Sequence, residues 1–208
     1  MKSGKPRAVV RLSNKYVTVQ ITDATLTGDI VRASASSREL PKLGWKGALG
    51  NLPAAYLTGA LAARRAIARG VKEAILDLGL KGPTKGSKLF AVLKGLADSG
   101  LTVPHSPERL PPMERIGGAH IATYAKSLAG EHDLYKKRFS AYLSRGLKPE
   151  DLSGHFEEVR KAVSTTPVEA VRCVSVPVKK LDGFRRPSSA DRSNKERLFR
   201  WRRFSRKD

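Results

Sequence analysis

Ala8-Val9-Val10-Arg11-Leu12, Tyr16-Val17-Thr18-Val19-Gln20-Ile21 and Ile30-Val31-Arg32-Ala33 open the chain. These three runs decide the fold. In the first, Ala8, Val10 and Leu12 alternate with Val9 and Arg11. The other two are rich in β-branched residues, which pack well on a pleated surface. Ser13-Asn14-Lys15 and the stretch Asp23 to Asp29 are turn-like separators. Connections this short predict an antiparallel three-stranded meander.

Outward from the meander, the glycine-rich loop Leu43 to Asn51 precedes Pro53, which suits the first turn of a helix after a polar cap. Tyr56, Leu57, Ala60, Leu61 and Ile67 recur at helical spacing, and Gly70 closes the segment. Ala74-Ile75-Leu76 reads as a short buried strand. Ser87 is placed to cap a second helix carrying Phe90, Leu93 and Ala97, and Leu101-Thr102-Val103 follows as a fifth strand. The order β-β-β-α-β-α-β makes strands four and five parallel through a right-handed crossover. The expected fold is α/β, a mixed sheet in a ribonuclease-H-like layout.

Beyond the prolines at 104, 107, 111 and 112, amphipathic helices are expected at Ala119–Leu128, Asp133–Leu143 and Gly154–Val163. The expected division is an α/β core over 1–117, a helical part over 118–167 and a basic tail over 168–208. The tail is poor in core-forming residues and is expected to be disordered when free. Its arginines are interleaved with Phe199, Trp201 and Phe204, so Arg200, Trp201, Arg202 and Arg203 are candidate RNA contacts.

Charge narrows the function. Forty Lys and Arg against 19 Asp and Glu leave a formal net charge of +21, and the sequence pI is near 10.5. A balance this basic points to a polyanionic partner, nucleic acid first. No apolar run approaches the roughly 18 residues of a membrane span, and no secretory signal is visible. No membrane role is expected. The single cysteine, Cys173, rules out an intramolecular disulfide and any Cys-rich zinc site, and a reducing cytosol is the natural compartment.

The ribonuclease-H-like order raises the possibility of a two-metal nuclease. The first strand has no carboxylate, Asp77 stands without an obvious partner and Asp98 falls at a helix end. A metal site is not expected, nor a cofactor. His105-Ser106 lacks a third group to orient a dyad, and His120, His132 and His155 have no zinc-like spacing. Gly79 to Lys88 lies between a strand and a helix as a phosphate loop does, but Ser87 and Lys88 stand in the wrong order for the nucleotide-binding pattern. Its small residues and Lys81, Lys85 and Lys88 suit either a nucleic-acid phosphate or a solvated turn. Trp45, beside Lys46, either stacks on a base or plugs the end of the core.

These residues together resemble a family. Lys2-Ser3-Gly4-Lys5-Pro6-Arg7, Gly44-Trp45-Lys46-Gly47, Gly50-Asn51 and Pro53 to Gly59 are similar to segments of the 5S-rRNA-binding protein of the archaeal large ribosomal subunit. This is the L-eighteen family, called L-five in eukaryotes. The likeness runs on through Glu73 to Leu80, Lys85-Gly86-Ser87-Lys88, Val103 to Ser106, Gly118 to Ile121 and His155 to Glu158. The resemblance implies a non-enzymatic cytoplasmic ribosomal protein. Its implied partners are 5S rRNA, large-subunit rRNA and neighbouring ribosomal proteins, in the central protuberance. It implies RNA contacts at Lys5, Arg7, Arg11 and Lys15, then in the loops carrying Trp45, Lys46 and Asn51 and Lys81, Lys85, Ser87 and Lys88. Archaeal relatives carry a basic arm before Lys2; with Met1 immediately preceding it, an absent arm or a late-placed start codon is expected. The basic tail runs past where archaeal members generally stop. The alternatives are a nuclease on the same scaffold and a general nucleic-acid-coating protein.

Overall fold

The computed structural model describes residues 4–26 and 28–165. The tail candidates Arg200, Trp201, Arg202 and Arg203 lie outside them. The expected meander forms as β1 (Arg7–Leu12), β2 (Val17–Thr25) and β3 (Gly28–Ser36). β4 (Ile75–Asp77) adds beside β1 in parallel, so the sheet order is β3-β2-β1-β4. Register follows the alternation: Ala8 pairs with Ile21 and Ile21 with Ala33, while Val10 pairs with Val19 and Val19 with Ala35. All six are buried. Period-two alternation thus builds one apolar face, and Arg7, Arg11, Thr18 and Gln20 stand on the other.

α1 (Leu52–Ala68) is buried on nearly every side from Leu52 to Ala63, as expected of a helix apolar all round. It lies against the sheet, α2 (Lys88–Asp98) and α6 (Leu152–Thr165). Glycines set how close α1 and α2 come. A Cβ on Gly59 would stand 2.3 Å from the Val92 carbonyl oxygen, and one on Gly95 2.2 Å from that of Tyr56. Short helices α3 (Met113–Ile116) and α4 (Ala119–Ser127) and then α5 (His132–Leu143) connect to α6. Leu152, Phe156, Val159 and Val163 of α6 join the main core, and Phe156 meets the Tyr56 ring edge-on at 5.6 Å.

The α/β mixed sheet is as read from the sequence, with three local differences. Leu101–Val103 does not extend the sheet as a strand; Thr102 makes one isolated parallel bridge to Glu73. Pro104 follows at once and can donate no ladder hydrogen bond. Ile75 is 37% exposed, and Ala74 beside it is the buried member of that run. Ser87 occupies the cap position of α2, but its hydroxyl makes no capping bond and is buried without a partner among the described residues. Among the described residues, no helix is long and apolar enough to cross a membrane.

Candidate nucleic-acid interface

The parallel pairing of β1 and β4 sends both strands towards the same end of the sheet. The chain leaves β1 there through the turn Ser13–Tyr16 and leaves β4 through the loop after Asp77. Arg11 bridges the two, its guanidinium donating to the Asp77 carbonyl and carboxylate, both at 3.4 Å. The N-terminus of α1 arrives at this end too. Asn51 Oδ1 accepts the Ala54 N–H at 3.0 Å, and Gly50 packs against the Asn14 and Lys15 backbone. Lys88, at the start of α2, donates from Nζ to the Gly50 carbonyl at 3.1 Å. Ligands of open α/β sheets gather at the carboxyl ends of the strands, and this end collects Arg11, Lys15, Asn51 and Lys88.

Lys5 and Arg7 lie towards the other end. Their cations are already paired, Lys5 Nζ with Glu73 at 2.8 Å and Arg7 Nη2 with Asp29 at 2.6 Å. The Asp77 carboxyl is held below the usual carboxylate range, first by the Gly79 N–H and then by Arg11. It is therefore a charged partner for Arg11, engaged on both oxygens. Among the described residues, Lys15, Lys46, Lys81 and Lys85 are exposed and have no carboxylate partner within salt-bridge distance.

Two of the expected contacts change character. Trp45 is the core plug: it is 2% exposed, its Nε1 donates to the Ala48 carbonyl at 3.1 Å, and His155 stacks on it at 5.3 Å. Burial removes both faces of the indole from reach of a base. The Lys81–Lys88 loop is less open to an anion than its glycines suggest. The N–H groups of Lys81, Thr84, Gly86 and Ser87 donate to the carbonyls of Leu78, Gly82, Arg109 and Thr84. With these four amides engaged and the Ser87 hydroxyl buried, the loop offers an anion its lysines more than these backbone groups. His105, for its part, turns a ring nitrogen to the Val103 carbonyl at 2.7 Å rather than towards Ser106.

Two arginines that local sequence does not single out hold the adjoining loops. Arg109 binds the Pro83 carbonyl at 2.9 Å and holds the lysine loop. Arg145, just past α5, donates to the Gly47 carbonyl at 2.6 Å. Nothing local marks either one, because each acts on a loop distant in sequence.

The chain matches, over residues 1–73 and 68–106, the family model described as ribosomal large subunit proteins 60S L5 and 50S L18. The large ribosomal subunit protein uL18 of Aeropyrum pernix is 55% identical over 165 residues, 78% of this chain and 77% of the relative. The chain belongs to this ribosomal family. The uL18 proteins of Caldivirga maquilingensis and Methanococcus maripaludis are 53% and 50% identical, over 77% of this chain and 79% and 83% of their own lengths. Members of the family are structural constituents of the large ribosomal subunit and not enzymes, so the nuclease alternative falls. The engagement of Asp77 with Arg11 fits a structural role for that carboxylate.

Proposed function

We propose that this ribosomal protein binds 5S rRNA and helps attach it to the large-subunit rRNA in the central protuberance, working in the cytoplasm among neighbouring ribosomal proteins. The observation that carries the reading is the gathering of Lys15, Lys88 and Arg11 at the carboxyl end of β1 and β4, with Lys46, Lys81 and Lys85 free of carboxylates on adjoining loops. Cations and exposed loops without a carboxylate cluster suit phosphates of a folded RNA. Lys5 and Arg7 extend the contact along β1, and Asn51 serves it indirectly by holding the start of α1. In this reading residues 1–117 carry most of the RNA contacts and 118–167 brace them. The packing of α6 on α1 and of His155 on Trp45 supports the bracing role. The basic segment 168–208 adds further rRNA contacts.

Titration against 5S rRNA and against duplex DNA of equal length, over a range of salt, tests it. The expected result is a clear preference for 5S rRNA, with log affinity falling linearly with log salt. Lys15→Ala lowers the magnitude of that slope by about one phosphate equivalent. Equal affinity for the two nucleic acids would replace this reading with general coating of nucleic acid.

A further inference from the structure

Beside the β1–β2 turn lies a cleft of about 430 Å³, between that turn, the end of the glycine-rich loop and the C-terminal end of α5. Its volume falls within the roughly 300–1,000 Å³ of small-ligand sites. We propose that it is a subsite for a single unpaired nucleotide of RNA; this rests on the RNA-binding reading above and deepens it.

The lining carries the chemistry. Lys15 and Arg145 supply cations, Tyr16 and Tyr142 supply aromatic rings, and among the described residues no Asp or Glu lines the cleft. A second cleft on the molecule differs in this respect, for Asp98 lines it beside Tyr56. Among the described residues Lys15 has no carboxylate partner, so its charge is available to a phosphate, whereas Arg7 and Arg11 must first leave Asp29 and Asp77. A further guanidinium, that of Arg38, sits 4.1 Å from the centre of the Tyr16 ring.

The cleft is also built rather than incidental. Asn51 Nδ2 donates to the Tyr142 hydroxyl at 3.2 Å while Oδ1 of the same side chain caps α1. That pair of bonds fixes the ring of Tyr142 relative to the helix start. Phe139 meets the ring edge-on at 6.0 Å, and Arg145 ties α5 to the Gly47 carbonyl. Gly50 forms part of the wall, and a Cβ there would come within 3.1 Å of the Asn14 carbonyl oxygen and 3.2 Å of that of Lys15. A duplex backbone presents a convex row of phosphates and has no use for such a concavity. A base released from a loop or bulge supplies a flat face for a tyrosine and a phosphate for the rim cations.

The test uses the full chain and three probes: a single strand of about ten uridines with one central 4-thiouridine, a blunt RNA duplex of equal length, and poly-glutamate. Ultraviolet cross-linking of the wild type to the single strand is expected to label segments 14–16, 48–51 or 141–145. Tyr142→Ala is expected to weaken single-strand binding at least about fivefold, the low end of one stacked base, and duplex binding less than twofold. Tyr142→Phe keeps the ring but loses the bond from Asn51, and is expected to lose less single-strand affinity than Tyr142→Ala, with duplex binding again changed less than twofold. Cross-links confined to other segments would overturn the subsite, as would equal losses on single strand and duplex or equally strong competition by poly-glutamate. The cross-link map decides the matter even if Tyr142→Ala fails to fold. None of these outcomes touches the preference for 5S rRNA over duplex DNA, which is measured separately and stands or falls alone.

Discussion

The guanidinium of Arg7, on β1, reaches past β2 to Asp29 on β3, with Nη2 2.6 Å from one carboxylate oxygen and 2.7 Å from the other. Both partners are partly exposed, so the pair adds at most about 1 kcal/mol to stability. Its consequence for RNA is larger than its consequence for folding. Asp29 competes with phosphate for Arg7 and repels an approaching backbone. Asp29→Asn is expected to raise affinity for 5S rRNA a few-fold at low salt, and for duplex DNA by at least as much. Filter binding with both nucleic acids checks this; a lower affinity in the variant would show that Asp29 positions Arg7 instead.

Arg65 on α1 is a different kind of cation. It is 4% exposed and donates to the carboxylate of Glu39 and the Ser34 carbonyl. Glu39 also accepts the Ser36 N–H at 3.0 Å, completing a capping box on the short 3-10 segment Ser37–Leu43. Glu39→Ala leaves a buried guanidinium without its counter-charge. Such losses cost about 3–5 kcal/mol, and the urea midpoint is expected to fall accordingly. A change below about 1 kcal/mol would mean that water replaces the carboxylate.

At Gly95, helix propensity and packing oppose each other. Alanine gains up to about 1 kcal/mol over glycine inside a helix. The new methyl would meet the Tyr56 carbonyl oxygen at 2.2 Å and the Ala60 nitrogen at 3.0 Å, both backbone atoms of α1. Overpacking of this kind costs about 1–3 kcal/mol, and a rigid backbone partner puts it at the upper end. Gly95→Ala is therefore expected to lower Tm by several degrees in a thermal melt. A raised Tm would show that α2 slides on α1 without cost.

Burial, and then its hydrogen bond to Asp98 at 3.0 Å, push the Tyr56 phenol up from 10.0 to about 12. Above pH 10 the unfolded chain ionises this group while the folded chain does not. The unfolded state then binds fewer protons, so stability is complete below about pH 10 and falls as pH rises towards 12, by up to about 3 kcal/mol from this residue. Tyr56→Phe is expected to flatten that stretch of the stability–pH curve. Parallel curves for variant and wild type would remove Tyr56 as the cause.

By itself the sequence determined what depends on local pattern and composition. Alternation in β1 to β3 dictated which residues face inward, because side chains on a strand point to opposite faces in turn. Asn51 and Pro53 announced the start of α1 by chemistry local to one turn. The charge balance and the string of family-like segments pointed to a ribosomal, RNA-facing role. Tertiary structure alone decided which of the charges are free. Lys5 and Glu73, Arg7 and Asp29, and Arg11 and Asp77 pair across segments that no local pattern joins. It also decided that Trp45 lies under His155, and that Tyr142 and Arg145 stand beside Lys15. Those contacts link residues on separate elements, and their geometry exists only once α1 has packed against the sheet and α6 against α1.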